Sequence, residues 1–478
     1  MNALYFHILL ILFNAWLTYF SCQVGSLDVN DIDIQCVESE RDALLHFKES
    51  ISVDNCGLLN DWGDSKECCQ WRGIRCNNQS GHVISLKLRG FVSGDSGYES
   101  CLEGTLSASL LDLKYLKYLD LSFNNFGGQL PKFIGSLDSL EYLNLSNAGF
   151  GGVIPQEIGN LSRLTSLDLN DLNMRVASLG WLSRLRLLRV LDLSGVDLSV
   201  ATNTWLFIVN NLPSLRKLHL DGCGLSLSSP SSPLSYNNSS TTLGVLSLSD
   251  NNFNDTSIFE WLLNLNGLET NLIYLDLSYN EMFGNDLEFS ERAMKRLDNL
   301  CSLQILDLSS TNLNYKFSNI VQSFSSCPHK SLVSLRLSQN QIWGLIPDNI
   351  GSFSSLRELD VGDNQLNGSI TQAIGELTML ESLDLSSNSL TGTFTNAHLS
   401  NLSKLQELRL SDNIEVVVNV DSNWIPPFQL NTVGLRSCKV GPNFPRWLLT
   451  QKNLLWIDIS TASISDTIPV TFWKSSLG

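Results

Sequence analysis

One spacing of leucines governs this chain. Residues 380–390 read Leu380-x-x-Leu383-x-Leu385-x-x-Asn388-x-Leu390. The same phase restarts at Leu116, Leu140, Leu164, Leu188, Leu215, Leu243, Leu272, Leu303, Leu332, Leu356, Leu405, Leu430 and Leu454, and Val83 opens an imperfect earlier copy. Within each copy, Leu at the first, fourth and sixth positions alternates with outward residues, as a strand buried on one side requires. So short a unit cannot close a core alone and must bury its apolar face against its neighbours. The 478 residues therefore predict one elongated stack in place of two or three globular domains.

The spacing is the leucine-rich repeat signature. It predicts an α/β solenoid over residues 83–478, with about fourteen or fifteen copies forming a curved parallel sheet roughly 65 Å long at ~4.8 Å per strand. The ninth position holds Asn124, Asn251, Asn280, Asn340, Asn364, Asn388 and Asn413, whose buried amides are expected to bond the backbone of their own and the next repeat. Thr311 is a smaller polar stand-in there, and Cys223 and Cys438 are read as buried free thiols. Ala148, Leu172, Val196 and Ala462 break the ladder, so distorted curvature is expected between Leu140 and Leu212. Repeat length is 24 residues from Leu116 to Leu188, rises to 27–31 up to Leu332, and returns to 24 or 25. Insertions of this kind map to loops outside the strand register. The Ser-rich stretch from Ser226 to Thr242 is one of them.

Ahead of the regular copies lie Cys36, Cys56, Cys68, Cys69, Cys76 and Cys101. A solenoid's first repeat needs a cap, and residues 36–76 are expected to supply one, built on an amphipathic helix from Glu38 to Ile51 with a capping box at Ser39-x-x-Asp42. Six cysteines allow fifteen pairings, and spacing alone does not choose among them. We favour Cys69–Cys76, then Cys36–Cys68, which leaves Cys56 and Cys101 as a third pair. A metal site is the rival; an exported chain favours oxidised sulfur. Cys301 and Cys327, near the ends of successive repeats, are expected to form a further disulfide.

Export is read from the apolar run Ile8 to Phe20, which marks residues 1–25 as a signal peptide. An uncleaved anchor is the alternative, because no Lys or Arg precedes the run. Eight Asn-x-Ser/Thr sequons, at Asn78, Asn144, Asn160, Asn237, Asn238, Asn254, Asn367 and Asn401, are candidate glycosylation sites. Asn144 lies on an outward strand position, where a glycan would obstruct the start of the inner face.

The net charge of −17 excludes a nucleic-acid binder. No histidine pairs with another His or with Cys at metal-ligand spacing, and no nucleophile or phosphate-binding motif occurs. No cofactor is implied. The column Asp120, Asp168, Asp192, Asp276, Asp307, Asp360, Asp384 and Asp458 reads as a solvated face of the Leu-Asp-Leu motif, not as paired catalytic carboxylates. The chain is read as a binding protein and not an enzyme. Candidate ligand contacts are the outward residues that depart from the repeat: Tyr118, Phe123 and Tyr142 near the start, Tyr274 and Tyr279 in the middle, and Arg336, Arg357, Arg409 and Arg436 later. The plain alternative is that they only solvate the sheet.

Cys36-Val-Glu-Ser-Glu-Arg-Asp-Ala-Leu-Leu-His-Phe-Lys, Trp62, and Cys68-Cys69-Gln-Trp71-Arg-Gly73-Ile-Arg-Cys76 resemble the N-terminal cap of plant leucine-rich repeat receptors. Gly81-His82-Val83 resembles the family's approach to its first repeat. Leu130-Pro131, Ile154-Pro155, Ile346-Pro347 and Ile468-Pro469 resemble the plant-specific subclass, which adds a second short sheet, with Pro on an edge strand. The resemblance is to receptor-like proteins of plant immunity, the receptor for a fungal ethylene-inducing xylanase among them. It implies a cell-surface ectodomain that senses a secreted microbial or endogenous protein or peptide and signals through a co-receptor kinase. A secreted inhibitor similar to plant polygalacturonase inhibitors is the alternative. No cysteine-bearing cap follows Cys438 and the sequence stops one repeat after Leu454, so further repeats, a membrane helix and a tail are expected beyond Gly478.

Overall fold

The computed structural model describes residues 35–63, 67–91, 100–171, 173–202, 204–227, 242–254, 257–263, 271–283, 291, 293–295, 297, 299–324 and 328–475. The signal-peptide reading, Leu172, and the sequons at Asn237 and Asn238 lie outside the described residues.

Alternating Leu and polar residues produce the expected strands. Sixteen described strands form one sheet, running from Ile74–Cys76 and Val83–Lys87 through Tyr118–Asp120 to Trp456–Asp458. The first two pair antiparallel and every later neighbour is parallel. Each copy's fourth-position leucine faces the next, as Leu119 does Leu143 and Leu143 does Leu167, and all three are fully buried. Burying such a side chain stabilises by about 1.5–3 kcal/mol, which only a stacked neighbour can supply here. The expected distortion between Leu140 and Leu212 does not reach the strands, where Tyr142, Ser166, Val190 and Lys217 pair in unbroken register. Small residues fit the ladder position because it is closed: Ala148 and Val196 have no exposure.

The asparagine ladder reaches backward, not forward as expected. Asn340 Nδ2 donates to Leu337 of its own repeat at 3.0 Å and to Leu308 of the preceding one at 2.8 Å. Its Oδ1 accepts the Thr311 and Leu313 N–H groups of that preceding repeat. Asn251, Asn280 and Asn413 repeat the scheme. Cys223 and Cys438 are free and buried, and their thiols donate to Leu193 and Leu410 in the same direction.

On the opposite side, copies of 24 residues carry five-residue 3-10 turns such as Lys132–Ser136, Gln156–Asn160 and Gln372–Glu376. The longer copies place α-helices there, at Trp205–Asn210, Ser257–Leu263 and Phe317–Ser323, and the extra residues are what a helical turn needs. A second sheet appears in two pieces: Gly152–Val153 with Met174–Arg175, and Trp343–Gly344, Gln365–Ser369, Ser389–Phe394 and Glu415–Val418. The prolines are not on its edge. Pro131, Pro155 and Pro347 follow the strand position and stand at the N-terminal cap of the 3-10 turn, where a missing N–H costs nothing.

The cap departs from expectation at both ends of its helix. The helix runs Glu38–Glu49 behind Val37, so Ser39 lies inside the first turn and no side-chain cap forms. Ile51 instead opens a strand, Ile51–Asp54, that pairs antiparallel with Leu102–Gly104. Glu40, buried in that first turn, accepts the Val83 N–H at 2.6 Å and meets His82 at 2.9 Å, tying the helix to the first repeat. Phe47, Trp62 and Trp71 pack beneath it. Disulfides join Cys36–Cys68, Cys56–Cys101 and Cys69–Cys76, carrying the cap beyond residue 76. The sulfurs of Cys36, Cys68 and Cys69 cluster, and disulfide bonding leaves none of them as a metal ligand. Cys301 is disulfide-bonded, and its expected partner Cys327 lies outside the described residues. At the far end Leu454, Ile457 and Ile459 are only partly buried, and Leu455 and Trp456 are exposed.

Candidate functional site

The inner face is made by the third and fifth positions of each repeat. Parallel pairing sets equivalent residues opposite one another, so each position becomes a column. The third-position column begins Tyr118, Tyr142, Ser166, Val190, Lys217 and Val245. The fifth runs Asp120, Asn144, Asp168, Asp192, His219, Ser247, Asp276, Asp307, Arg336, Asp360, Asp384 and Arg409.

The acidic column is not the solvated row the motif suggests. Asp120, Asp276 and Asp307 are buried. Each carboxylate accepts the N–H two residues ahead: Asp192 from Ser194 at 2.9 Å, Asp276 from Ser278 at 3.0 Å, Asp307 from Ser309 at 3.0 Å. The Ser122 and Ser278 hydroxyls add a second bond at 2.7 Å, which is why Ser follows Leu-Asp-Leu so often. The acids serve to turn the chain out of the strand, and the outer shell of side chains desolvates them. Burial, then the facing Asp192, pushes Asp168 up to about 7. Burial and Asp307 take Asp276 up to about 7, and burial and Asp384 take Asp360 up to about 6.

The predicted contacts divide on this face. Tyr118 and Tyr142 stack with ring centroids 4.1 Å apart and planes 4° apart. Burial raises the pKa of both hydroxyls, so they remain neutral donors. Phe123 turns aside and takes the Arg89 guanidinium over its ring at 4.8 Å. The Tyr274 hydroxyl donates to Asp276 at 3.1 Å. Tyr279 is 54% exposed and held at φ 55°, as Phe123 is at 57°.

All four arginines are engaged within the chain, which lowers what each can offer a partner. Arg336 grips Glu358 with Nε at 2.7 Å and lies 3.7 Å from Asp307. Arg357 precedes its strand and pairs with Glu381 at 2.6 Å on the sheet's border. Arg409 lies 3.5 Å from Glu407, 4.0 Å from Asp384 and over the Trp456 ring. Arg436 follows its strand and pairs with Asp412.

Among the described sequons, Asn78, Asn160, Asn254, Asn367 and Asn401 are exposed. Asn144 is buried, its Nδ2 donating to Tyr142 at 3.3 Å and its Oδ1 accepting from Ser146, which argues against a glycan there. His219 and Asp221 escaped the reading of the sequence. Aligning fifth and seventh positions by repeat number would have exposed both, since His and Asp there break the runs of Asp and Ser.

Residues 98–292 and 243–466 match the leucine-rich repeat region, and residues 37–77 match the leucine rich repeat N-terminal domain. The chain belongs to the leucine-rich repeat family. Within it, the chain is similar to plant receptor-like proteins. It is 39% identical to receptor-like protein EIX2 of Solanum lycopersicum, over 92% of this chain and 51% of the relative. Receptor-like protein EIX1 of the same species is 38% identical over 91% and 51%. The chain spans about half the length of these curated relatives. The crystal structure of PEPR1 with AtPEP1 superposes with a TM-score of 0.53 at 26% identity, over 92% of this chain and 57% of that one. A TDR receptor structure, at 22% identity and a TM-score of 0.54 over 78% and 64%, shares the fold.

Proposed function

We propose that this chain is the ligand-recognition ectodomain of a plant cell-surface receptor-like protein. It senses a secreted microbial or endogenous protein or peptide in defence signalling. The observation that carries this is the stacked Tyr118–Tyr142 pair beside the acidic column on the inner face of the sheet. The similarity to EIX2 and EIX1 supports the reading, and the complex of PEPR1 with AtPEP1 has the same fold. The chain acts on the extracellular side of the membrane, and a co-receptor kinase supplies the output. No helix among the described residues is long and apolar enough to cross a membrane.

The test is binding by the purified chain of a fungal xylanase and of synthetic secreted peptides, with inhibition assays of xylanase and polygalacturonase alongside. Saturable binding weakened at least tenfold in Tyr118→Ala/Tyr142→Ala, with no inhibition, is the expected result. Potent enzyme inhibition would move the chain to the inhibitor class, and binding indifferent to the double variant would move recognition off this face.

A further inference from the structure

The fifth-position column holds three facing pairs of aspartates: Asp168 with Asp192, Asp276 with Asp307, and Asp360 with Asp384. In two of them the strand that follows supplies an arginine at the same position. Arg336 faces Asp307 in register with its Nη1 3.7 Å from the carboxylate, and Arg409 faces Asp384 with its Nε at 4.0 Å. The third pair is followed by His219 instead. Among the described residues no cationic nitrogen comes within 4.0 Å of Asp168 or Asp192. Lys217 stands in the adjacent column, exposed and in no ion pair.

We propose that the inner face between Tyr142 and His219 docks an arginine- or lysine-bearing segment of the recognised ligand, with its cation on the Asp168–Asp192 pair. The chain's own arginines at the two equivalent positions show what charge and geometry such a pair accepts. The stacked tyrosines adjoin it, Tyr142 lying on the strand next to that of Asp168, and offer ring faces and neutral hydroxyls to the same segment. A partly buried carboxylate pair attracts a cation more strongly than an exposed acid does, because less water screens it. His219 keeps the place open, since an imidazole lacks the planar fork of donors with which a guanidinium spans two carboxylates. This rests on the inner face being the recognition surface and specifies what it recognises.

The probe is fluorescein-labelled hexa-arginine, titrated against the full chain by anisotropy at pH 8, with hexa-glutamate as the negative control. Three variants are compared: Asp168→Asn/Asp192→Asn, His219→Arg, and Asp112→Asn/Asp138→Asn, which removes two exposed charges elsewhere. The expected result is at least a fivefold loss of affinity in the first two and less than twofold in the third. His219→Arg loses binding by completing the triad from within the chain, so it tests the site without removing the aspartates. Unchanged affinity in both site variants, or an equal loss in the distant one, would overturn the proposal. A ligand that needs Tyr118 and Tyr142 but ignores the aspartates would overturn it alone and leave the receptor reading standing.

Discussion

The carboxylate of Asp221 accepts the backbone N–H of Ser249 at 2.9 Å, 28 residues further along the chain. In copies with a fifth-position aspartate that N–H is met by the repeat's own carboxylate, as Ser278 is by Asp276, but here the position is Ser247. Asp221 also takes the Ser247 and Ser249 hydroxyls, at 2.5 and 3.0 Å. One repeat thus supplies the cap its successor lacks. The Ser194 hydroxyl donates to its other oxygen at 3.3 Å, so Asp221→Ala leaves four donors without their acceptor, and we expect a loss of about 1–3 kcal/mol in urea unfolding. Asp138→Ala, exposed and outside this network, should change stability by less than about 0.5 kcal/mol.

Protons should stabilise this fold over the range where the acidic column titrates. Asp168 and Asp276 are raised to about 7 and Asp360 to about 6, far above an unfolded aspartate near ~3.9. The folded state therefore holds more protons than the unfolded one between about pH 4 and 7, so stability falls as pH rises through that window and then levels. Asp192, facing Asp168, and Asp120, two strands away, act on Asp168, and Asp307 and Asp221 act on Asp276, each with the same sign. Thermal unfolding should show a higher Tm at pH 5 than at pH 8, and Asp168→Asn/Asp276→Asn should shrink the difference. A Tm that climbs from pH 5 to 8 would be inconsistent with these pairs.

Tyr279 occupies the left-handed region at φ 55°, a position that Gly195 and Gly222 fill in other repeats. A bulky residue costs about 1–2 kcal/mol there, and Asn tolerates it better. Tyr279→Asn should raise stability by about 1 kcal/mol while removing an exposed ring that follows the strand Tyr274–Asp276. If equilibrium unfolding shows Tyr279→Asn to be destabilising, the ring is packed more usefully than its 54% exposure suggests.

Glycopeptide mass spectrometry of the plant-expressed chain should find Asn144 bare and glycans among Asn78, Asn160, Asn254, Asn367 and Asn401. Asn144 Nδ2, the atom a glycan would occupy, is committed to the Tyr142 hydroxyl. An occupied Asn144 would require the Tyr118–Tyr142 stack to open.

How far the sequence reached is visible in particular residues. Leu116, Leu140 and their successors dictate the strand register, because a one-residue slip would expose every leucine. The Asn positions follow from the same periodicity. Their direction did not, since whether Asn340 bonds forward or back depends on where the preceding turn leaves its N–H groups. The helix start at Glu38 was legible, but the missing side-chain cap at Ser39 and the strand at Ile51 were hidden, because Glu40 and Ile51 are used by partners at Val83 and Gly104, far away in sequence. The depth of the acidic column was hidden for the same reason: the neighbours that bury Asp168 belong to other repeats. The arginines stood out by departing from the repeat, yet their partners Glu358, Glu381, Glu407 and Asp412 lie within the chain.

The account depends on recognition by the inner face, and paired variants on the two sides of the solenoid test it most directly. Affinity for the secreted protein or peptide the chain binds should be measured for Tyr118→Ala/Tyr142→Ala and for Lys132→Ala/Glu157→Ala, which alters an ion pair on the 3-10 turns of the opposite side. The account predicts at least a tenfold loss in the first and less than a twofold change in the second. A loss confined to the second would place recognition on the opposite side and contradict it.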